Sequence, residues 1–311
     1  MSDTLEEIGS QPAVWAQGLA GVEAGRRELA APGERVLLLG CGTSWFVGQS
    51  IAELREGAGL GETDAVCASE YQPRRRYDRV VAISRSGTTT EVLDALRRVP
   101  AGTHRVAVTA VAGEPLDALA DARLLIDFAD ERSVVQTRFP TTVLAIARAA
   151  FGEDLADLVR DGETALTAPL PADPADIDHL VFLGTGWTIG LAHEAALKAR
   201  EAAQAYAESY PAMDFRHGPV AMAGPRSLVW SFGAVPGGLD EVARGAGATA
   251  YRDDRDPLAQ LLLAQRFAVA LARHRGLDPD RPRLLTRSVV LTGAPAADQH
   301  GAGAVNGPRG R

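Results

Sequence analysis

A chain of 311 residues exceeds the usual span of one domain, so two units of roughly 150 residues are expected. Hydrophobic residues make up 46% and charged residues 23%, the mix of a soluble globular protein with ample core. A net charge of −8 and a pI near 5.3 argue against nucleic acid as a main partner, and no stretch approaches a membrane span. The start, with Asp3, Glu6 and Glu7, lacks the basic opening of a signal peptide. The two cysteines, Cys41 and Cys67, have neither metal-ligand nor framework spacing. That fits a reducing cytoplasm, with no structural disulfide and no metal. Cys41, between two glycines, reads as a small buried residue.

Residues 1–30 read as helical, with Trp15, Leu19 and Val22 on one apolar stripe before Pro32-Gly33. Val36 to Leu39, ended by Gly40, is a continuous apolar run that suits a buried parallel strand. GCGTSW then opens a helix through Glu53 to Arg55. The cycle repeats from Arg79, where VVAI is strand, SRSGTT loop and EVLDALRRV helix. Val106 to Val111 and Leu124 to Phe128 are further strands, and a helix over Pro140 to Phe151 follows the ERSVVQTRF loop. Strands alternating with helices of this length predict an α/β fold, a parallel sheet covered on both faces.

Asp161 to Asp178, rich in Pro, Ala and Asp, reads as a connection. After it, LVFLGTGWTIGLAHEAALK aligns without gaps on the earlier VLLLGCGTSWFVGQSIAEL, Gly184 on Gly40 and Gly186 on Gly42, with Gly190 close to Gly48. That is an internal duplication of a strand–glycine loop–helix unit. The second copy is abbreviated: its next strand, Leu228 to Phe232, has no counterpart of SRSGTT. ARGAGATAY reads as helix end and turn, and Pro257 to Arg275 as a strong helix. The expected divisions are 1–30, 31–165, 166–292 and a disordered tail over 293–311.

The glycine loops lack the third glycine of a dinucleotide fingerprint; Trp45 and Ile189 stand in its place. There is no Gly-Lys-Ser/Thr, and SRSG has the wrong spacing for a hydrolase elbow. Nicotinamide, nucleotide and acyl-serine chemistry fall away, and no cofactor is expected. What remains is a phosphate site. Thr43 and Ser44 stand at one helix start, and Ser84, Ser86, Thr88, Thr89 and Thr90 crowd the next, with Arg85 either adding charge or pointing to solvent. Helix starts offer free N–H groups and partial positive charge. Helix caps alone would need fewer hydroxyls.

From His193 to Pro219 the chain is Ala-rich, with no Gly or Pro before Pro211, and predicts a helix that Pro211 stops. Glu194, Lys198 and Glu201 fall on one face, at i, i+4 and i+7. Tyr206 and Tyr210, on or just beyond this helix, read as packing residues. Phe215 to Pro219 then form a turn carrying His217. Carboxylate, ammonium and imidazole together can move protons on carbon beside a carbonyl. The competing account is a surface helix with one salt bridge and a solvent-facing histidine.

GCGTS, SRSGTTTEV and EAALKAREAAQAYAESYPAMDFRHGP together resemble the double sugar isomerase (SIS) domain family over roughly residues 30–292. The likeness is to the isomerase half of glucosamine-6-phosphate synthase and to free-standing amino-sugar-phosphate deaminases and isomerases. The resemblance implies two flavodoxin-like αβα SIS subdomains with parallel sheets, the second abbreviated, and a homodimer with a shared active site for a small-molecule sugar phosphate. It further implies that Thr43, Ser44, Ser84, Arg85, Ser86 and Thr89 bind phosphate and that Val134 and Gln136 line the sugar. Lys198, Glu201 and His217 match the catalytic set: His217 opens the ring, Glu201 shuttles a proton between C1 and C2, and Lys198 steadies the enediolate. Glu194 either supports that set or orients Lys198.

Leu284 to Val289 depart from the synthase's LAKSV motif, placing Arg287 where a lysine forms an imine. A guanidinium stays protonated and can only hydrogen-bond a sugar or phosphate. The chain starts Met1-Ser2 without a catalytic cysteine, so glutaminase activity is not expected. The expectation is a sugar-phosphate isomerase or amino-sugar-6-phosphate deaminase working through an enediol or enediolamine. The alternative is a non-catalytic sugar-phosphate-binding regulator, for which the phosphate loop alone would suffice.

Overall fold

A computed structural model describes residues 2–291; the expected tail over 293–311 lies outside the described residues. The chain opens with helix α1 (Asp3–Ala20) and the short α2 (Val22–Gly25). The first sheet follows, from β1 (Val36–Gly40), α3 (Thr43–Gly57), β2 (Thr63–Cys67), β3 (Arg79–Ile83), α4 (Thr90–Arg97), β4 (His104–Thr109), β5 (Ala122–Leu125) and α5 (Arg138–Ala150). Its five strands are parallel, in the order β2-β1-β3-β4-β5. The order reverses between β1 and β3, the point at which open α/β sheets bind ligands.

Helix α6 (Leu158–Thr167) leads to a second parallel sheet, ordered β7-β6-β8-β9. It is built from β6 (His179–Gly184), α7 (Thr188–Ala203), β7 (Tyr206–Pro211), β8 (Ser227–Ser231), α8 (Leu239–Gly245), β9 (Thr249–Tyr251) and α9 (Pro257–His274). Among the described residues this sheet has one strand fewer than the first, as the abbreviated repeat implies.

Alternation along β1 decides the layers. Val36 and Leu38 join the cluster that contains α3, α5, α7 and α9, while Leu37 and Leu39 join the one with Val92 and Leu96 of α4. The first cluster continues to Leu180 and Phe182 of β6, so one apolar core lies between the two sheets. The outer face of the second sheet packs Val181 and Leu183 against Leu239 and Ala243 of α8.

The duplication is structural as well as sequential. Gly42 and Gly186 both adopt positive φ, +52° and +56°. A Cβ on Gly190 would lie 2.4 Å from the Phe46 carbonyl, so the glycine lets α3 and α7 cross in close contact. The related helices of the two halves thus meet directly, and this contact brings the catalytic candidates of one half to the loops of the other.

Three local expectations are corrected. The helix does not run on to Pro211: it ends at Ala203, where Gln204 turns left-handed and its N–H bonds to the Arg200 carbonyl. Tyr206 to Pro211 then pair in register with His179 to Gly184 as an edge strand, on which Tyr206 is exposed. Ala-rich composition hid the strand, and an edge position tolerates its proline. ARGAGATAY ends one helix but closes on β9. Part of the supposed connection over Asp161 to Asp178 belongs to α6, whose Leu158 and Ala165 are buried.

Candidate active site

β1 and β3 are neighbours, so the loops that follow them lie side by side at the carboxyl edge of the first sheet. Thr43, Ser44, Ser84 and Ser86 are all buried there. Gly87, with φ +68°, turns the second loop back toward α4, and the Ser84 and Thr89 hydroxyls stand 3.4 Å apart.

A segment distant in sequence covers this cluster. The Ser288 hydroxyl lies 3.1 Å from that of Ser86, 2.9 Å from Thr88 and 3.4 Å from Thr89. The Thr90 N–H donates to the Val289 carbonyl, and the Leu291 N–H to the Thr90 hydroxyl. Ser288 was not anticipated. The signal available was its place beside Arg287 in the one motif that departs from the family pattern.

Arg85 does not point to solvent. Its side chain is buried, and its guanidinium donates to the Ser133 carbonyl at 2.9 Å and the Arg287 carbonyl at 2.9 Å. The fully buried Glu131 carboxylate lies 3.7 Å away. Arg85 therefore ties the hydroxyl loop to the 131–137 loop and to the C-terminal segment, rather than pointing to solvent. Burial pulls its pKa down and Glu131 opposes that; burial likewise pushes the Glu131 carboxyl up, with Arg85 opposing.

Glu131 also accepts the Thr137 N–H and hydroxyl, and the Arg138 N–H that opens α5. Glu7 of α1 holds the same loop through the Arg132 and Ser133 N–H groups and the Ser133 hydroxyl. Thus fixed, the loop presents a half-buried Val134 and a Gln136 whose Oε1 is buried without a described hydrogen-bond partner. The Arg287 guanidinium donates to Asp130 at 2.5 Å.

On α7, Lys198 is buried and its ammonium donates to Glu201 Oε2 at 2.6 Å and to Thr43 Oγ1 at 3.0 Å. Glu194 Oε1 lies 3.4 Å from the same nitrogen. The Thr43 hydroxyl thus joins the two halves of the site. Burial pulls the Lys198 pKa down, but the Glu194 and Glu201 carboxylates more than offset it, and the net shift is upward. The ammonium stays charged.

Glu194 differs. It is wholly buried, and neither oxygen accepts a described hydrogen bond. Burial pushes its carboxyl up to about 7, although Lys198 pulls the other way. A folded-state pKa above the unfolded value favours the folded form at low pH. Stability relative to Glu194→Gln is therefore expected to fall as pH rises from 4.5 to about 7. Paired denaturant titrations of the two proteins across that window measure it.

His217 is not brought to this cluster within one chain. It closes a short helical turn after β7, at the carboxyl end of the second sheet, where the Ala212 N–H donates to the Gly184 carbonyl. Lys198 lies ten residues along α7 from that end, about 15 Å at 1.5 Å per residue. His217 is exposed, and no described hydrogen bond or ion pair joins it to Lys198 or Glu201.

No protein-family model matches the chain. It is 30% identical to the isomerizing glutamine–fructose-6-phosphate aminotransferase of Aeropyrum pernix, over 92% of this chain and 57% of that protein. The same enzyme of Pyrobaculum aerophilum is 28% identical over the same shares. The crystal structure of glucosamine-6-phosphate deaminase from Thermotoga maritima superposes with a TM-score of 0.78 at 25% identity, over 93% of this chain and 100% of that one. The chain resembles the sugar isomerase (SIS) domain family in sequence and in fold. It spans about half the length of the curated relatives it matches. The crystal structure of tagatose-6-phosphate ketose/aldose isomerase from Escherichia coli shares the fold at a TM-score of 0.72 and 22% identity. Among the described residues no helix is long and apolar enough to cross a membrane.

Proposed function

We propose that the chain is a sugar-phosphate aldose–ketose isomerase or amino-sugar-6-phosphate deaminase that works as a homodimer through an enediol or enediolamine. The observation that carries this is the buried Lys198 ammonium, bonded at once to Glu201 and to Thr43 of the phosphate-side loop. A regulator that only binds sugar phosphate has no use for a buried ammonium held against a carboxylate. The two loops at the β1/β3 switch point would hold the phosphate through hydroxyls and helix N–H groups. In this reading Arg85 contributes by bracing the loop, and Ser288 is either an added phosphate ligand or a hydroxyl that the phosphate displaces.

With the phosphate anchored, the sugar would extend past Thr43 toward α7. Glu201, the more accessible carboxylate of the pair, takes the proton at C1 or C2 and returns it to the other carbon. Lys198 offers a full positive charge to the oxygen that becomes anionic, with no reorganisation at that moment. Ring opening needs an acid–base group that this chain places at the far end of α7. We assign it to His217 of the partner subunit. Val134 and Gln136 would line the sugar, and the buried Gln136 Oε1 has no hydrogen-bond partner among the described residues. Arg287, paired with Asp130, would bond sugar or phosphate without forming an imine.

The test is turnover on a panel of glucosamine, galactosamine, fructose and glucose 6-phosphates, following ammonia and ketose together. Ammonia from an amino sugar selects the deaminase, and interconversion without ammonia the isomerase. Binding with no turnover on any sugar overturns the enzyme and leaves the regulator.

A further inference from the structure

The two cysteines take no part in the site above, yet Cys67 ends β2 and Cys41 directly follows the neighbouring β1. β1 and β2 pair in parallel with Gly40 opposite Cys67, so Cys41 lies one residue past the partner of Cys67. A strand spacing of about 4.8 Å and a rise of about 3.3 Å put the two Cα atoms about 5.8 Å apart, within the span a disulfide bridges. Both thiols are free and part-exposed, and Cys67 Sγ lies 3.3 Å from the Ser69 hydroxyl. They are the chain's only cysteines, so neither has a competing partner within it.

We propose that Cys41 and Cys67 form a reversible disulfide that resets the loop between β1 and α3. Intracellular disulfides of this kind are transient and redox-sensing rather than structural. The order of events follows from the surroundings. Burial, with Cys67 and Glu91 adding to it, pushes the Cys41 thiol up to about 12, which makes it the poorer nucleophile. Cys67 reacts first: its thiolate attacks one sulfur of a small disulfide such as oxidised glutathione and expels one glutathione thiolate. The Cys41 sulfur then attacks Cys67 Sγ in the mixed disulfide and expels the second. Two protein thiols are oxidised, one small disulfide is reduced, and the two protons end on the released thiols.

The loop that would move is part of the site. The Cys41 carbonyl accepts the Ser44 N–H at 3.2 Å, and Thr43, two residues on, accepts from Lys198 at 3.0 Å. Bonding Cys41 to the end of β2 constrains the turn from which Thr43 and Ser44 face the site. The bridge itself is independent of the proposed function; its effect on sugar-phosphate binding rests on that reading.

The experiment incubates the full reduced chain, folded, with oxidised glutathione. It then reads intact mass, thiol count, hydrogen exchange over residues 40–46 and calorimetric binding of glucosamine 6-phosphate. Expected are loss of both thiols with no glutathione retained, changed exchange in the loop, and about tenfold weaker binding that dithiothreitol restores. Cys41→Ser should stop at a mixed disulfide on Cys67. Thiols that persist, glutathione that stays on the wild type, or a bridge that leaves loop exchange unchanged overturns the proposal. If the reduced protein binds no sugar phosphate, the functional reading fails, while thiol count and loop exchange still decide the bridge.

Discussion

Replacing Lys198 by Met is expected to abolish turnover and to cost about 3–5 kcal/mol of stability at pH 8, because it strands a buried carboxylate. Glu194 is wholly buried beside the ammonium, and Glu201 receives that ammonium at 2.6 Å. Without the cation both carboxylates face each other in a site that water does not reach freely. The penalty should shrink at pH 5, since Glu194 already titrates up at about 7 with the lysine in place and would rise further without it. The double variant Lys198→Met with Glu194→Gln separates structure from chemistry. It should recover most of the stability and none of the activity. Melting curves at the two pH values, beside turnover, read both effects. Equal destabilisation at pH 5 and pH 8 would show that lost packing, not the stranded charge, sets the cost.

Mixing two dead variants should restore activity. Glu201→Gln and His217→Ala are each expected to lower turnover by roughly 10²–10⁴-fold, the usual worth of a positioned acid–base group. Co-refolded in equal amounts, half of the dimers are mixed, and each mixed dimer holds one site with both native groups. About one quarter of wild-type activity should return. The expectation follows from geometry within one chain. His217 sits at the carboxyl end of β7, and Lys198 lies ten residues down α7 from that end. No recovery in mixed dimers, verified by differential tagging, would place the whole acid–base set in one subunit.

Much of this was legible in the sequence, for identifiable reasons. Apolar runs such as Val36 to Leu39 announce buried parallel strands, and the glycines of the repeat mark where the two halves turn alike. The face carrying Glu194, Lys198 and Glu201 follows from helical periodicity, and the structure buries Lys198 and Glu194 and leaves Glu201 partly accessible. What escaped were decisions made by partners far along the chain. The end of α7 is set by one left-handed residue, Gln204, and by the demand of β6 for an edge partner. Arg85 is turned inward by carbonyls 48 and 202 residues away. Ser288 meets the hydroxyl loop across a similar distance. No local pattern encodes such contacts.

The central claim is that Glu201 carries a proton between adjacent carbons of a sugar phosphate. The direct measurement is NMR of a sugar 6-phosphate in deuterated water with the wild type and with Glu201→Gln, both shown beforehand to bind that sugar. Deuterium entering C1 or C2 with the wild type and at least a hundredfold more slowly with the variant is the predicted result. Equal rates in the two proteins, or none in either despite binding, would contradict it.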